Sequence, residues 1–297
     1  MKYLKTTLSV EEQLAKLKSR GLKAEDEEGA LSYLLSIGYF RLKPYTYPFQ
    51  NNVRDVKLFK DEVTFEKIIA LYEFDSNLRV LLFDAIGKIE IALRSQMINQ
   101  YSLRNGSHWQ LNSDLFRDSE RFVVHFEKLN KEINRSNEAF IHSYKCTYSE
   151  PIAPPIWMSL EVSSLGLLSK IFQNLKKCPE KIAITHFFGI SDVSVLENWM
   201  LCFSIVRNIC AHHGRLWNRR FNHIKLPRHP LDAFLDNTSI FTNKLYATLT
   251  CIEYTLQHIS PNSTIKNNLK NLMVFKESPP LKQMGFPKNW NVERLWN

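Results

Sequence analysis

FEKIIALYEFDSNLRVLLFDAIGKIEIALRSQMINQY, residues 65–101, decides the fold class of this chain. Its apolar residues recur at spacings of three and four, among them Phe65, Ile68, Ile69, Leu71, Tyr72, Leu78, Leu81, Leu82 and Ile86. That is the period of a helix with one packed face. The run exceeds an ordinary helix in length, so a break or kink is expected near Ser76 or Gly87. Glu73, Asp75, Arg79, Glu90 and Arg94 stand among the apolar positions. Glu90 and Arg94, four apart in the favourable order, read as a structural ion pair. The alternative is that one of them faces a second cluster, further along the chain.

That cluster lies in ENWMLCFSIVRNICAHHGRLWNRR, residues 197–220. With Arg207 at zero and ~100° per residue, Asn208, His212 and Arg215 fall within roughly 140° of arc if the helix continues through Gly214. Phe203, Val206, Ile209 and Cys210 take the packing side. One face thus carries two guanidinium groups, a carboxamide and an imidazole, with no carboxylate of its own. Cations and donors suit a phosphodiester, and imidazole side chains titrate near neutrality. His213, about 240° round, reads as a largely buried structural residue. The bland reading is a histidine that only complements the dipole at a helix C-terminus.

Several phrases together resemble one family. They are YFRLKPYTYPF (39–49), LYEFDSNLR and IEIALRS within 65–101, WMSLEVSSLGLLSKIFQNL (157–175) and RNICAHHGRLWNR (207–219). These are similar to the Abi family of bacterial abortive-infection proteins, the AbiD/AbiF-like group of the HEPN superfamily. That superfamily is marked by an arginine, a polar residue, spacers and a histidine, and Arg207, Asn208 and His212 occupy those positions. The resemblance implies an all-α bundle with a four-helix HEPN-like core over about 61–260, preceded by a helical region (1–60) and followed by a helix and tail (261–297). It implies a metal-independent endoribonuclease acting as a toxin or defence effector, with no cofactor. Arg207, Asn208 and His212 would be catalytic, and His213, Arg215, Arg94, Glu90, Arg219 and Arg220 secondary catalytic or RNA-binding candidates. Partners would be RNA, a second copy of the chain in a homodimer, and an antitoxin or regulatory RNA. The runner-up is a non-catalytic protein that binds RNA or an antitoxin through the same basic face.

Composition agrees with a nucleic-acid partner and narrows the chemistry. The 39 Lys and Arg exceed the 30 Asp and Glu, a formal charge of +9, which favours a polyanion. Only 9 glycines occur in 297 residues, and no G-x-G-x-x-G or P-loop is present. No G-x-S-x-G occurs, and the acidic residues are too scattered for two-metal chemistry. Cys202, Cys210, His212, His213, His223 and His229 are close in sequence, but their spacings fit no familiar zinc site. The five cysteines form no C-x-x-C pair and read as reduced thiols. The start lacks a signal-peptide core and no long apolar run occurs, so a cytoplasmic protein without a membrane span is expected.

Elsewhere a first helix is expected over 9–20, capped by Ser9 and Glu12 and stopped by Gly21, and a second over about 25–37. Pro44 and Pro48 argue against a continuous helix in 39–49, whose aromatics could stack bases or pin a loop to the core. Helices are expected near 113–134 and 137–146, then one helix through 157–175 whose Ser159, Ser163, Ser164 and Gly166 would permit close packing. Pro179 reads as the first residue of a short helix, and Ser191 as the cap of the helix bearing Arg207. A last major helix is expected over 237–258 and a short one over 262–274, with the tail lying across the surface.

Overall fold

The computed structural model describes residues 2, 6–53, 56–227, 240–273 and 281–297. The protein is all-α apart from one hairpin, with twelve α-helices among the described residues. In order these are α1 (Val10–Lys18), α2 (Glu27–Ser36) and α3 (Tyr39–Thr46), then strands β1 (Gln50–Val53) and β2 (Val56–Phe59). There follow α4 (Phe65–Asn105), α5 (Ser119–Arg135), α6 (Ala139–Thr147), α7 (Ile156–Glu161), α8 (Leu165–Asn174), α9 (Pro179–Phe187), α10 (Val193–Ala211), α11 (Leu245–Ile259) and α12 (Ile265–Met273).

The chain divides into two compact units, residues 1–78 with 272–279, and residues 79–271 with 280–297. In the first, Ser9 and Glu12 form the expected capping box on α1. Contrary to expectation, Tyr39–Thr46 is helical with Pro44 inside it. The bond Pro44 forfeits would go to the carbonyl of Phe40, a residue whose side chain is exposed. The aromatics of this stretch divide. Tyr45 is buried and its hydroxyl donates to the Asp75 carboxylate at 2.6 Å, whereas Phe40 is exposed. β1 and β2 pair antiparallel with Gln50 opposite Phe59, a hairpin that the sequence reading did not anticipate.

The second unit is built on the long run of α4 from Arg79. Leu82, Ala85, Ile86, Ile89, Leu93 and Met97 are all fully buried, a stripe at helical spacing. No break occurs at Ser76 or Gly87; α4 is continuous over 41 residues. A helical glycine costs about 1 kcal/mol relative to alanine, and burial of Ile86 and Ile89 on either side outweighs that. α8 packs against both α5 and α10, and α10 also against α9 and α11. The expected single helix over 157–175 is two. Ser164 caps α8, and the Glu132 carboxylate accepts from its N–H at 2.8 Å and its hydroxyl at 2.9 Å. Ser159 and Ser163 donate to the carbonyls of Pro154 and Leu160, so these small residues secure turns as well as packing.

Pro179 opens α9 as expected. Between α9 and α10 lies a buried charge pair. The Lys181 ammonium, 1% exposed, donates to Glu197 Oε1 and to the Leu175 carbonyl, each at 2.7 Å. Burial pushes the Lys181 ammonium below the ordinary lysine value, and Glu197 opposes that. α5 begins at Ser119, later than expected, because 113–115 is a 3-10 turn. α11 starts at Leu245 rather than 237; 237–239 lie outside the described residues. The tail is more deeply packed than expected. Leu295 and Trp296 are buried, and the Trp296 ring lies 6.3 Å from that of Tyr246.

Candidate functional site

α10 carries the Arg207 cluster. Its N-cap is Asp192, which accepts from the N–H of Ser194 at 2.8 Å; Ser191, the expected cap, is one residue too early. Trp199, Met200, Phe203 and Val206 bury the packing face. The helix stops at Ala211 and does not run through Gly214. It closes in a Schellman arrangement: the His213 N–H bonds the Cys210 carbonyl at 3.0 Å and the Gly214 N–H bonds that of Ile209 at 2.7 Å. The residue that goes left-handed is His213, with φ 53°, and it is exposed. The expectation that His213 is buried was therefore wrong. It rested on extending the wheel past the point where the backbone reverses. Gly214 follows because of close approach, since a Cβ there would lie 3.0 Å from the Ile209 γ-methyl.

The same closure moves Arg215 off the helix. Its Nη1 donates to the carbonyls of Trp217 at 2.8 Å and Asn218 at 3.3 Å, in a loop anchored by fully buried Leu216 and Trp217. Arg219 Nη1 donates to the Arg215 carbonyl at 3.4 Å, and Arg219 and Arg220 are exposed. Arg207 is half-buried on the last turns of α10, while Asn208 and His212 are exposed, His212 as the C-cap. Among the described residues neither Asn208 nor His212 makes a side-chain hydrogen bond. An imidazole and a carboxamide are thus open to solvent beside a partly sheltered guanidinium.

Carboxylates, missing from the motif's own face, arrive from α4 and α7. Arg94 Nη2 pairs with Glu90 Oε1 at 3.2 Å, the i,i+4 ion pair read from sequence. Arg94 also donates to the Ser163 carbonyl at 3.1 Å and lies 3.5 Å from Glu161 Oε2. Glu90 does face the motif as well: its Oε2 is 3.7 Å from Arg207 Nε. The Arg207 guanidinium carbon lies 5.4 Å from the centre of the Phe83 ring. The two readings of Glu90 are therefore one arrangement. Sequence reasoning missed Phe83 and Glu161. Phe83 was legible in principle, since it stands seven residues before Glu90, two turns away on the same side of the helix.

Among the described residues, no group of three or more His, Cys, Asp or Glu side chains could hold a metal ion. Cys202 and Cys210 are buried away from solvent, and burial pushes the Cys202 thiol up to about 11. His223 Nδ1 meets the Thr242 hydroxyl at 2.8 Å, and His229 lies outside the described residues. No described helix is long and apolar enough to cross a membrane.

The family model of Abi-like proteins matches residues 32–218, well over half of the chain. The chain belongs to the Abi-like family. The match takes in every member of the cluster from Phe83 to Arg215 and stops just before Arg219 and Arg220. No curated protein and no solved structure matches this Abi-like chain.

Proposed function

We propose that this Abi-like protein is a metal-independent endoribonuclease of HEPN type, acting in the cytoplasm as a toxin in abortive infection and phage defence. The observation that carries the reading is the placement of Arg207 and His212. They share the end of one helix, with the imidazole free to reach a ligand and the guanidinium partly withdrawn from water, where a donor to a charged transition state is worth most. The excess of positive charge and the family match support it.

His212 takes the proton from a ribose 2′-hydroxyl or gives one to the leaving 5′-oxygen. Arg207 stabilises the added negative charge on the phosphorane, and Asn208 orients the imidazole or the phosphate. The products are a 2′,3′-cyclic phosphate and a 5′-hydroxyl. DNA of the same sequence lacks the nucleophile and resists. Arginines stay protonated at working pH, so within the set Arg207, Asn208 and His212 each chain offers one group able to serve as base or acid. Cleavage needs both, and a two-fold pair of chains supplies them. Val80, Phe83 and Ile91, exposed apolar residues within an arc of about 80° on α4, with Phe83 beside Arg207, are the contact we assign to the second copy. An antitoxin or regulatory RNA would hold such a nuclease silent.

The test uses wild type and His212→Ala with total RNA in EDTA. Cutting by wild type alone, with cyclic phosphate ends, is the expected result. Equal RNA binding without cutting by either would establish a binding protein instead. Mixing the two chains tests the shared site: total rate should fall faster than the wild-type fraction, and strict proportionality would rule the dimeric site out.

A further inference from the structure

A long arginine side chain on an exposed helix end has many rotamers, yet a donor to a transition state works only when held in place. Two contacts hold Arg207. Its Nε faces Glu90 Oε2 at 3.7 Å, and its guanidinium carbon stands 5.4 Å from the Phe83 ring centre. Phe83 and Glu90 are seven residues apart on α4, so they line up along one side of that helix. Glu90 takes the Nε edge and leaves the two Nη groups, the fork that matches a phosphate in bidentate fashion.

Glu90 is itself fixed from behind. It is 9% exposed, and Arg94 Nη2 holds its other oxygen at 3.2 Å. Arg94, equally buried, is anchored on the Ser163 carbonyl at 3.1 Å and the Glu161 carboxylate at 3.5 Å. The simpler account gives Glu90 the sole task of neutralising buried Arg94. Against that, Arg94 already has a second carboxylate and a carbonyl, and one of the two Glu90 oxygens is turned to Arg207.

We infer that Glu90 and Phe83 are positioning residues that clamp the Arg207 guanidinium with its Nη fork presented to the phosphodiester. The inference rests on the nuclease reading for its substrate, and on geometry alone for the clamp. The experiment therefore pairs two readouts on the intact protein. One is the order of the Arg207 Nε–H from ¹⁵N relaxation, its signal assigned with Arg207→Lys. The other is steady-state cleavage of an RNA oligonucleotide.

In Glu90→Gln the Arg207 signal should become mobile and kcat should fall roughly ten- to a hundredfold, with KM changed less than about twofold. Phe83→Leu should loosen the same signal, with sedimentation reporting separately on association. In an Arg207→Ala background, Glu90→Gln should lower the residual rate by less than about twofold, since its effect runs through the missing guanidinium. An Arg207 signal equally ordered with and without Glu90, or a full additive loss in the double variant, overturns the clamp. If wild type binds RNA without cutting while the signal still loosens in Glu90→Gln, the clamp stands and the nuclease reading falls.

Discussion

Replacing Glu197 by methionine should destabilise the fold strongly, and by less as the pH rises. Glu197 lies on α10, and its Oε1 sits 2.7 Å from the Lys181 ammonium, which is 1% exposed. At that distance and an effective dielectric of ~20, the attraction is about 6 kcal/mol. Without it the ammonium keeps only neutral acceptors, the carbonyls of Leu175 at 2.7 Å and Gln173 at 3.4 Å. The loss has a ceiling, because Lys181 can shed its proton. From the ordinary value of 10.5, neutralisation at pH 7 costs about 5 kcal/mol, and at pH 9 only about 2 kcal/mol. The sign follows from linkage: the folded state holds a depressed lysine, the unfolded state binds more protons, and stability therefore rises with pH toward 10.5.

Guanidinium unfolding of Glu197→Met should show a loss of about 3–5 kcal/mol at pH 7, falling to about 2 kcal/mol at pH 9. A double Lys181→Met, Glu197→Met chain should recover most of it, because apolar replacement removes both buried charges and the remaining partner of Glu197, Arg117 at 3.4 Å, is exposed to water. A single variant with an unchanged midpoint, a loss independent of pH, or a double variant no better than the single would refute the reasoning.

Two smaller outcomes concern the site helix and α5. His213→Gly should raise stability by about 1 kcal/mol, since a left-handed residue at a helix C-terminus favours glycine; a lower unfolding midpoint would show that the contacts of the imidazole outweigh its backbone. His125 on α5 is 9% exposed, and burial, with Lys170, Lys128 and Arg121 adding to it, holds its imidazole below the ordinary 6.5. The unfolded chain takes up that proton first, so stability should fall as pH drops below about 6.5. His125→Leu should flatten that part of the curve between pH 7.5 and 5.5, and an identical slope in both proteins would remove His125 as its cause.

The helical class was legible because its signals are local. The α4 stripe, the capping box on α1 and Pro179 at the start of α9 each need only a few neighbouring residues to be recognised. Errors arose where tertiary contacts decide between local options. Ser191 and Asp192 are both good caps, and the observed hydrogen bond selects Asp192. Ser164 begins a new helix because Glu132, on α5, receives both its N–H and its hydroxyl. The hairpin at 50–59 joins the edge of a small unit through the Phe59 N–H to the Arg20 carbonyl, a pairing that its own sequence does not announce.

For the site, spacing found the residues and could not find their partners. The helical wheel reached Arg207, Asn208 and His212 because they lie on or cap one helix. It failed for His213 and Arg215 because no glycine marks the left-handed position; the glycine stands one residue later, for a different steric reason. Glu90 and Arg94 were legible as a pair, since i,i+4 is local, but the contact to Arg207 joins residues more than a hundred positions apart. That contact changes the electrostatic argument. A face of cations alone would attract any polyanion and leave its arginines mobile. A guanidinium paired on its Nε edge presents less net charge and a defined fork, which weakens indiscriminate binding while favouring a phosphate in one orientation. Under the proposed nuclease reading, the carboxylate beside the motif arginine favours directed phosphate chemistry over a general basic surface.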